Sequence, residues 1–176
     1  MNQQATLGGG CFWCLEAVYQ RVRGVHRVES GYAGGKASDA NYDAVCSGST
    51  DHAEVVRLEF ESSMISFKQL LEILFAIHDP TTLNRQGHDV GSQYRSVIFT
   101  HDDIQKNIAM ELVKHLDESG VFDNKIVTEI SDLPIYYPAE EYHQNYFNSH
   151  PDQGYCAFVV SPKVAKFREQ FKDLLM

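Results

Sequence analysis

Over residues 54–61 the sequence EVVRLEFE sets Val56, Leu58 and Phe60 on one face and Arg57, Glu59 and Glu61 on the other, the period-two pattern of a half-buried strand. Parity puts Glu54 on the apolar face. A carboxylate there is either still solvated at the head of the strand or desolvated, with a raised pKa that lets it donate a proton near neutrality. The apolar run Ala5, Thr6, Leu7 predicts a short strand ending at Gly8, Gly9 and Gly10. Cys11, Cys14, Leu15, Val18 and Val22 then fall on one helical face, with Cys11 in the first turn.

Further along, residues 25–33 predict a strand closed by Gly34 and Gly35, and residues 41–52 an irregular polar loop. Phe67, Leu70, Leu71, Leu74 and Phe75 predict a helix stopped near Asp79 and Pro80. A polar loop, residues 80–93, leads into a strand over 94–100. Ile104, Ile108, Leu112 and Leu116 mark a helix that Gly120 can cap, followed by a strand over 125–130. Residues 138–147 predict a short helix opened by Pro138. A strand over 156–160 and a last helix on Val164, Phe167, Phe171 and Leu174 close the chain. Strands alternating with helices predict a single-domain α/β fold of the α+β kind, a two-layer sandwich with helices packed on a mixed sheet.

The charge balance narrows the partners. Twenty-four acidic against fifteen basic residues give a net charge of −9 over 176 residues, with no basic block, which argues against nucleic acid. No apolar run reaches membrane-spanning length and the first residues lack a secretory pattern, so a cytoplasmic protein is expected, and a monomer. Four cysteines at 11, 14, 46 and 156 do not form the dense framework of a small secreted domain.

Chemistry concentrates at Cys11 and Cys14. A thiol at a helix start meets free N–H groups and the positive end of the helix dipole, and it ionises more easily there. The pair could instead be packing residues, the redox pair of a thioredoxin-like dithiol oxidoreductase, or two ligands of a zinc site. A thioredoxin-like pair normally follows a strand, a helix and a second strand, and zinc needs four ligands where no second pair is present.

Four motifs in order, GGGCFW at 8–13, NYDAVCSGSTDHAEVV at 41–56, DPTTLNRQGHDVGSQYRS at 79–96 and PAEEYHQNYF at 138–147, resemble the peptide methionine sulfoxide reductase A family over nearly the whole chain. The resemblance implies reduction of the S epimer of methionine sulfoxide, free or in proteins, with thioredoxin as electron source and neither metal nor bound cofactor. It implies Cys11 as nucleophile, Phe12 and Trp13 as walls of a pocket for the S-methyl group, and Glu54 as a protonated acid helped by Tyr42 and Tyr94. Asp89 matches the family's acidic residue before that tyrosine and is taken with the substrate-binding group. Two residues depart from the family pattern, Cys14 and Asp51, each standing where glycine is common. Cys14 and Cys156 are thus both candidates for the resolving thiol, with Cys156 preferred, and Asp51 is expected to favour the protonated form of Glu54. Cys46 reads as structural, and His52, His78, His88 and His143 are given no role.

Overall fold

The computed structural model describes residues 2–176. The strands are β1 (Asn2–Gly8), β2 (Val25–Ala33), β3 (Ala53–Glu61), β4 (Arg85–Gln86), β5 (Asp89–Val90), β6 (Val97–Thr100), β7 (Glu129–Asp132) and β8 (Tyr136–Pro138). Six of them form one sheet in the order β7-β6-β1-β3-β2-β8, while β4 and β5 make a separate two-residue ribbon. Neighbours in the sheet are antiparallel except β6 and β7, so the sheet is mixed.

The helices are α1 (Phe12–Tyr19), α2 (Tyr42–Cys46), α3 (Phe67–Ile77), α4 (Asp103–Ser119), α5 (Tyr146–Ser149) and α6 (Ser161–Gln170). Val56, Leu58 and Phe60 meet Leu15, Val18, Leu70, Leu74 and Phe167 in the main core. The opposite face of the sheet holds a smaller cluster of Ala33, Ala53, Val55, Val97 and Phe99, covered by Leu133 and Tyr136. Helices therefore load one face, giving the expected two layers. Two helices start where side chains satisfy their free N–H groups: Ser66 and Gln69 form a capping box on α3, and Asp102 accepts from the Gln105 N–H on α4. Gly120 ends α4 in the left-handed region, as expected.

Several elements differ from expectation. Residues 41–52 contain α2, one turn fixed by the Asn41 side chain, which accepts from the Ala44 N–H at 2.9 Å. Pro138 ends β8 instead of opening a helix, and the turn that follows, Glu141–His143, is 3₁₀. Residues 156–160 are a π-helical turn running directly into α6, not a strand. Tertiary packing overrides β propensity there, because Cys156 and Val160 both reach the core from a helical backbone. On α4 Ile104 is exposed. Gln105 turns inward instead, donating to the Gln4 carbonyl at 2.8 Å and accepting from the His101 N–H at 3.0 Å.

Candidate active site

Glycines press the loop before Cys11 against the strand that carries Glu54. Gly8 comes so close to β3 that an added β-carbon would stand 3.0 Å from the Glu54 carbonyl oxygen, and Gly10 holds φ +84°, which any side chain would strain. The Gly10 N–H donates to the Tyr94 carbonyl at 3.2 Å, tying this loop to the turn before β6. Cys11 follows as the N-cap of α1, in extended conformation, one step before the first turn where its spacing put it.

Glu54 is 1% exposed. Its Oε1 accepts the Phe12 N–H at 3.1 Å, so this carboxyl occupies one of the free amides of α1, beside Cys11. Burial pushes the carboxyl up to about 8, with the charge of Asp89 adding to the rise and the Phe12 N–H opposing it. Of the two readings of Glu54, the desolvated acid is the one that holds.

The thiol corrects an expectation. Burial and the charge of Glu54 push Cys11 well above the ordinary thiol range, while the Trp13 backbone N–H pulls the other way. Desolvation outweighs the helix terminus. At neutral pH each partner therefore holds a proton, a carboxylic acid beside a thiol.

Around this pair stand two phenols. Tyr42 opens α2, and its N–H donates to Glu140 Oε2 at 2.8 Å, while Glu140 Oε1 accepts the Tyr32 hydroxyl at 2.8 Å. Burial raises the pKa of both Tyr42 and Tyr94, and the charges of Glu54 and Cys11 act on each in the same direction. Both hydroxyls therefore remain protonated donors. The Cys46 side chain bonds the Tyr42 hydroxyl, so its place beside the site is that of a support.

Phe12 is fully buried, its ring centroid 5.7 Å from Tyr32 and 5.1 Å from His143. Trp13 is half-buried and stacks on Tyr146 at 3.9 Å with the planes 5° apart. Its Nε1 donates to His143 Nδ1 at 3.1 Å. An indole N–H can only donate, so Nδ1 accepts and the imidazole proton sits on Nε2. That atom is buried without a partner among the described residues.

Asp89, in β5, accepts the Tyr155 hydroxyl at 2.5 Å. Cys14 lies one turn into α1, its N–H bonded to the Cys11 carbonyl at 3.1 Å. Burial pushes its thiol up to about 11, with the Lys163 ammonium opposing the rise. Cys156 is buried in the core at the start of the π-helical turn, its thiol raised by burial alone. All four cysteines are free thiols. Asp51 does not act as expected. It is exposed, its carbonyl accepts the Arg95 guanidinium at 2.9 Å, and Asp89 is the carboxylate whose charge reaches Glu54.

Sequence reasoning left out Glu140, His143, Tyr155 and Glu16. The first two lie in PAEEYHQNYF, a segment singled out whole without any residue of it being assigned; Tyr155 directly precedes the Cys156 already in view. His78 and His52 are structural. His78 bridges the Leu74 carbonyl and the Ser96 hydroxyl, while His52 accepts the Gly35 N–H and donates to the Lys36 carbonyl.

The family model for peptide methionine sulfoxide reductase matches residues 3–175. The peptide methionine sulfoxide reductase MsrA of Polynucleobacter asymbioticus is 59% identical over 173 residues, covering 98% of this chain and 91% of the relative. Among solved structures, Mxr1 of Saccharomyces cerevisiae in reduced form superposes with a TM-score of 0.80 at 36% identity, covering 88% of this chain and 89% of that one. The same yeast protein solved in complex with Trx2 gives a TM-score of 0.56 at 25% identity, over 82% and 84% of the two chains.

Proposed function

The chain belongs to the peptide methionine sulfoxide reductase family, and we propose that it reduces the S epimer of methionine sulfoxide, free or in proteins, through Cys11 as nucleophile and Glu54 as acid. The observation that carries this reading is the buried, protonated Glu54 fixed by the Phe12 amide next to a thiol. Sulfoxide sulfur is a poor electrophile until its oxygen is protonated or strongly hydrogen-bonded, so a neutral carboxyl and two phenols at that oxygen lower the barrier. As Glu54 gives its proton to the oxygen, the carboxylate it becomes takes the Cys11 thiol proton, and the Cys11 sulfur bonds to the substrate sulfur, which now carries a hydroxyl. Collapse breaks the bond between the two sulfurs and passes the hydroxyl to Cys11, releasing methionine and leaving Cys11 as sulfenic acid with Glu54 again protonated. Phe12 and Trp13 take the S-methyl group, which fixes the epimer, and the His143 Nε2–H is free to donate to a carbonyl of the bound substrate.

Dabsylated methionine sulfoxide resolved into its epimers tests the assignment. With dithiothreitol as reductant the S epimer is expected to turn over and the R epimer to persist; the reverse preference, or no turnover by folded protein, overturns it.

Of the two candidate resolving thiols, Cys14 is the better placed. It is one helical turn from Cys11, its N–H bonded to the Cys11 carbonyl at 3.1 Å, and the Lys163 ammonium offsets part of the burial that raises its thiol. Its sulfur attacks the Cys11 sulfur, hydroxide leaves as water with one proton, and a Cys11–Cys14 disulfide remains. Thioredoxin then reduces that disulfide, a step supported by the yeast relative's complex with Trx2. Peptide mapping after one equivalent of substrate without reductant is expected to find Cys11 bridged to Cys14. A Cys11–Cys156 bridge transfers the role.

A further inference from the structure

One buried carboxyl takes no part in the steps above. Glu16 is 1% exposed, on the second turn of α1, three residues after Trp13 and on the same side of the helix. Its Oε2 accepts the Asn145 N–H at 2.8 Å and its Oε1 the Tyr146 N–H at 3.2 Å, across about 130 residues of sequence. These are the free amides at the start of α5. That helix has only four residues, Asn145 before it sits in the left-handed region at φ 58°, and the Asn145 side chain makes no cap bond. A single turn does not hold itself together. The acceptor it needs comes from α1.

What Glu16 holds is one side of the proposed substrate pocket. Tyr146, whose amide it binds, is the ring stacked on Trp13. His143, two residues before Asn145, accepts the Trp13 indole N–H. The indole is thus clamped between its own helix and the 143–146 segment, and the Glu16 carboxyl fastens that segment to the same helix. Two N–H donors need two acceptor oxygens; glutamine would offer one, and aspartate would fall a methylene short.

We infer that Glu16 is a positioning residue for substrate: by binding the Asn145 and Tyr146 amides it keeps Tyr146 and His143 against Trp13, and so sets the shape of the methyl-binding wall. The inference rests on the reductase reading for its kinetic consequence but not for its structural one, and the experiment separates the two.

Trp13 is the chain's single tryptophan, so its emission reports the stack directly and requires no turnover. In Glu16→Gln the emission maximum is expected to move to longer wavelength as the indole gains water. KM for the S-sulfoxide should rise about tenfold, as for one lost hydrogen bond, while the single-turnover rate at saturating substrate changes less than about twofold. Tyr146→Leu should reproduce the rise in KM, and adding Glu16→Gln to it should cost little more, because both changes remove the same contact. Unchanged emission and KM in Glu16→Gln, or fully additive effects in the double variant, overturn the inference. If Glu16→Gln does not fold, hydrogen exchange on the native protein decides: amides of Asn145 and Tyr146 protected as strongly as those inside α1 support it, and exchange at the rate of exposed turns refutes it. A shift in emission in a protein inactive toward both epimers would leave the positioning intact and reject the reductase reading alone.

Discussion

Cys11→Ser is expected to abolish turnover altogether, with product below detection even at stoichiometric enzyme, while substrate still binds. The reason lies in where the oxygen goes. Sulfur accepts it by passing from thiol to sulfenic acid, a step along an accessible oxidation ladder; a serine oxygen would have to form an O–O bond, for which nothing in the site supplies the energy. Loss of a nucleophile elsewhere costs on the order of a millionfold, and here no slower version of the same route exists. Binding should survive, because Phe12, Trp13 and the His143–Trp13 hydrogen bond are untouched. Rapid-quench assays for product, together with titration of Trp13 emission by methionine S-sulfoxide, check both halves. Cys46→Ser is the control: it removes a thiol that only supports Tyr42, and turnover should persist. If Cys46→Ser is dead and Cys11→Ser active, the site has been placed on the wrong sulfur.

What could be read from the chain beforehand divides by range of interaction. Strand parity alone put Glu54 on the buried face, because a period of two is a local property and the neighbours Val56, Leu58 and Phe60 report which side is dry. The strand at Val25–Ala33 and the stop of α4 at Gly120 are local in the same sense. A five-residue helix such as α2 is too short to show a 3.6-residue period, and its signal is a single capping asparagine. Residues 156–160 mislead because Val159 and Val160 favour strand intrinsically, while the packing that holds them helical comes from α1, far off in sequence, and from α6, which continues them. Long-range polar contacts were invisible for the same reason. Nothing near Glu16 announces Asn145 and Tyr146, and nothing near Asp89 announces Tyr155. The expected ease of ionising Cys11 failed differently. The helix terminus was correctly located, but the local pattern does not reveal how completely the sheet and Glu54 enclose the sulfur.

Glu54→Gln is expected to slow the chemical step by about a hundred- to ten-thousand-fold and to remove a pH dependence that the native enzyme should show. Burial holds the Glu54 carboxyl at about 8. An acid must carry its proton to work, so the raised value keeps most of the enzyme competent at neutral pH, and the single-turnover rate should stay level below about 7 and fall as pH passes through about 8. The direction is diagnostic. If the thiolate alone limited the rate, burial of Cys11 would make the rate climb through the same range. Glutamine keeps a hydrogen-bond donor near the sulfoxide oxygen but has no proton to transfer, so the residual rate should lose its decline near 8 and respond only to thiol ionisation at higher pH. The isosteric change also retains an acceptor for the Phe12 N–H, which keeps the start of α1 in place and confines the loss to acid catalysis. A native profile that rises through pH 8, or a glutamine variant within tenfold of the parent, would remove Glu54 from the reaction.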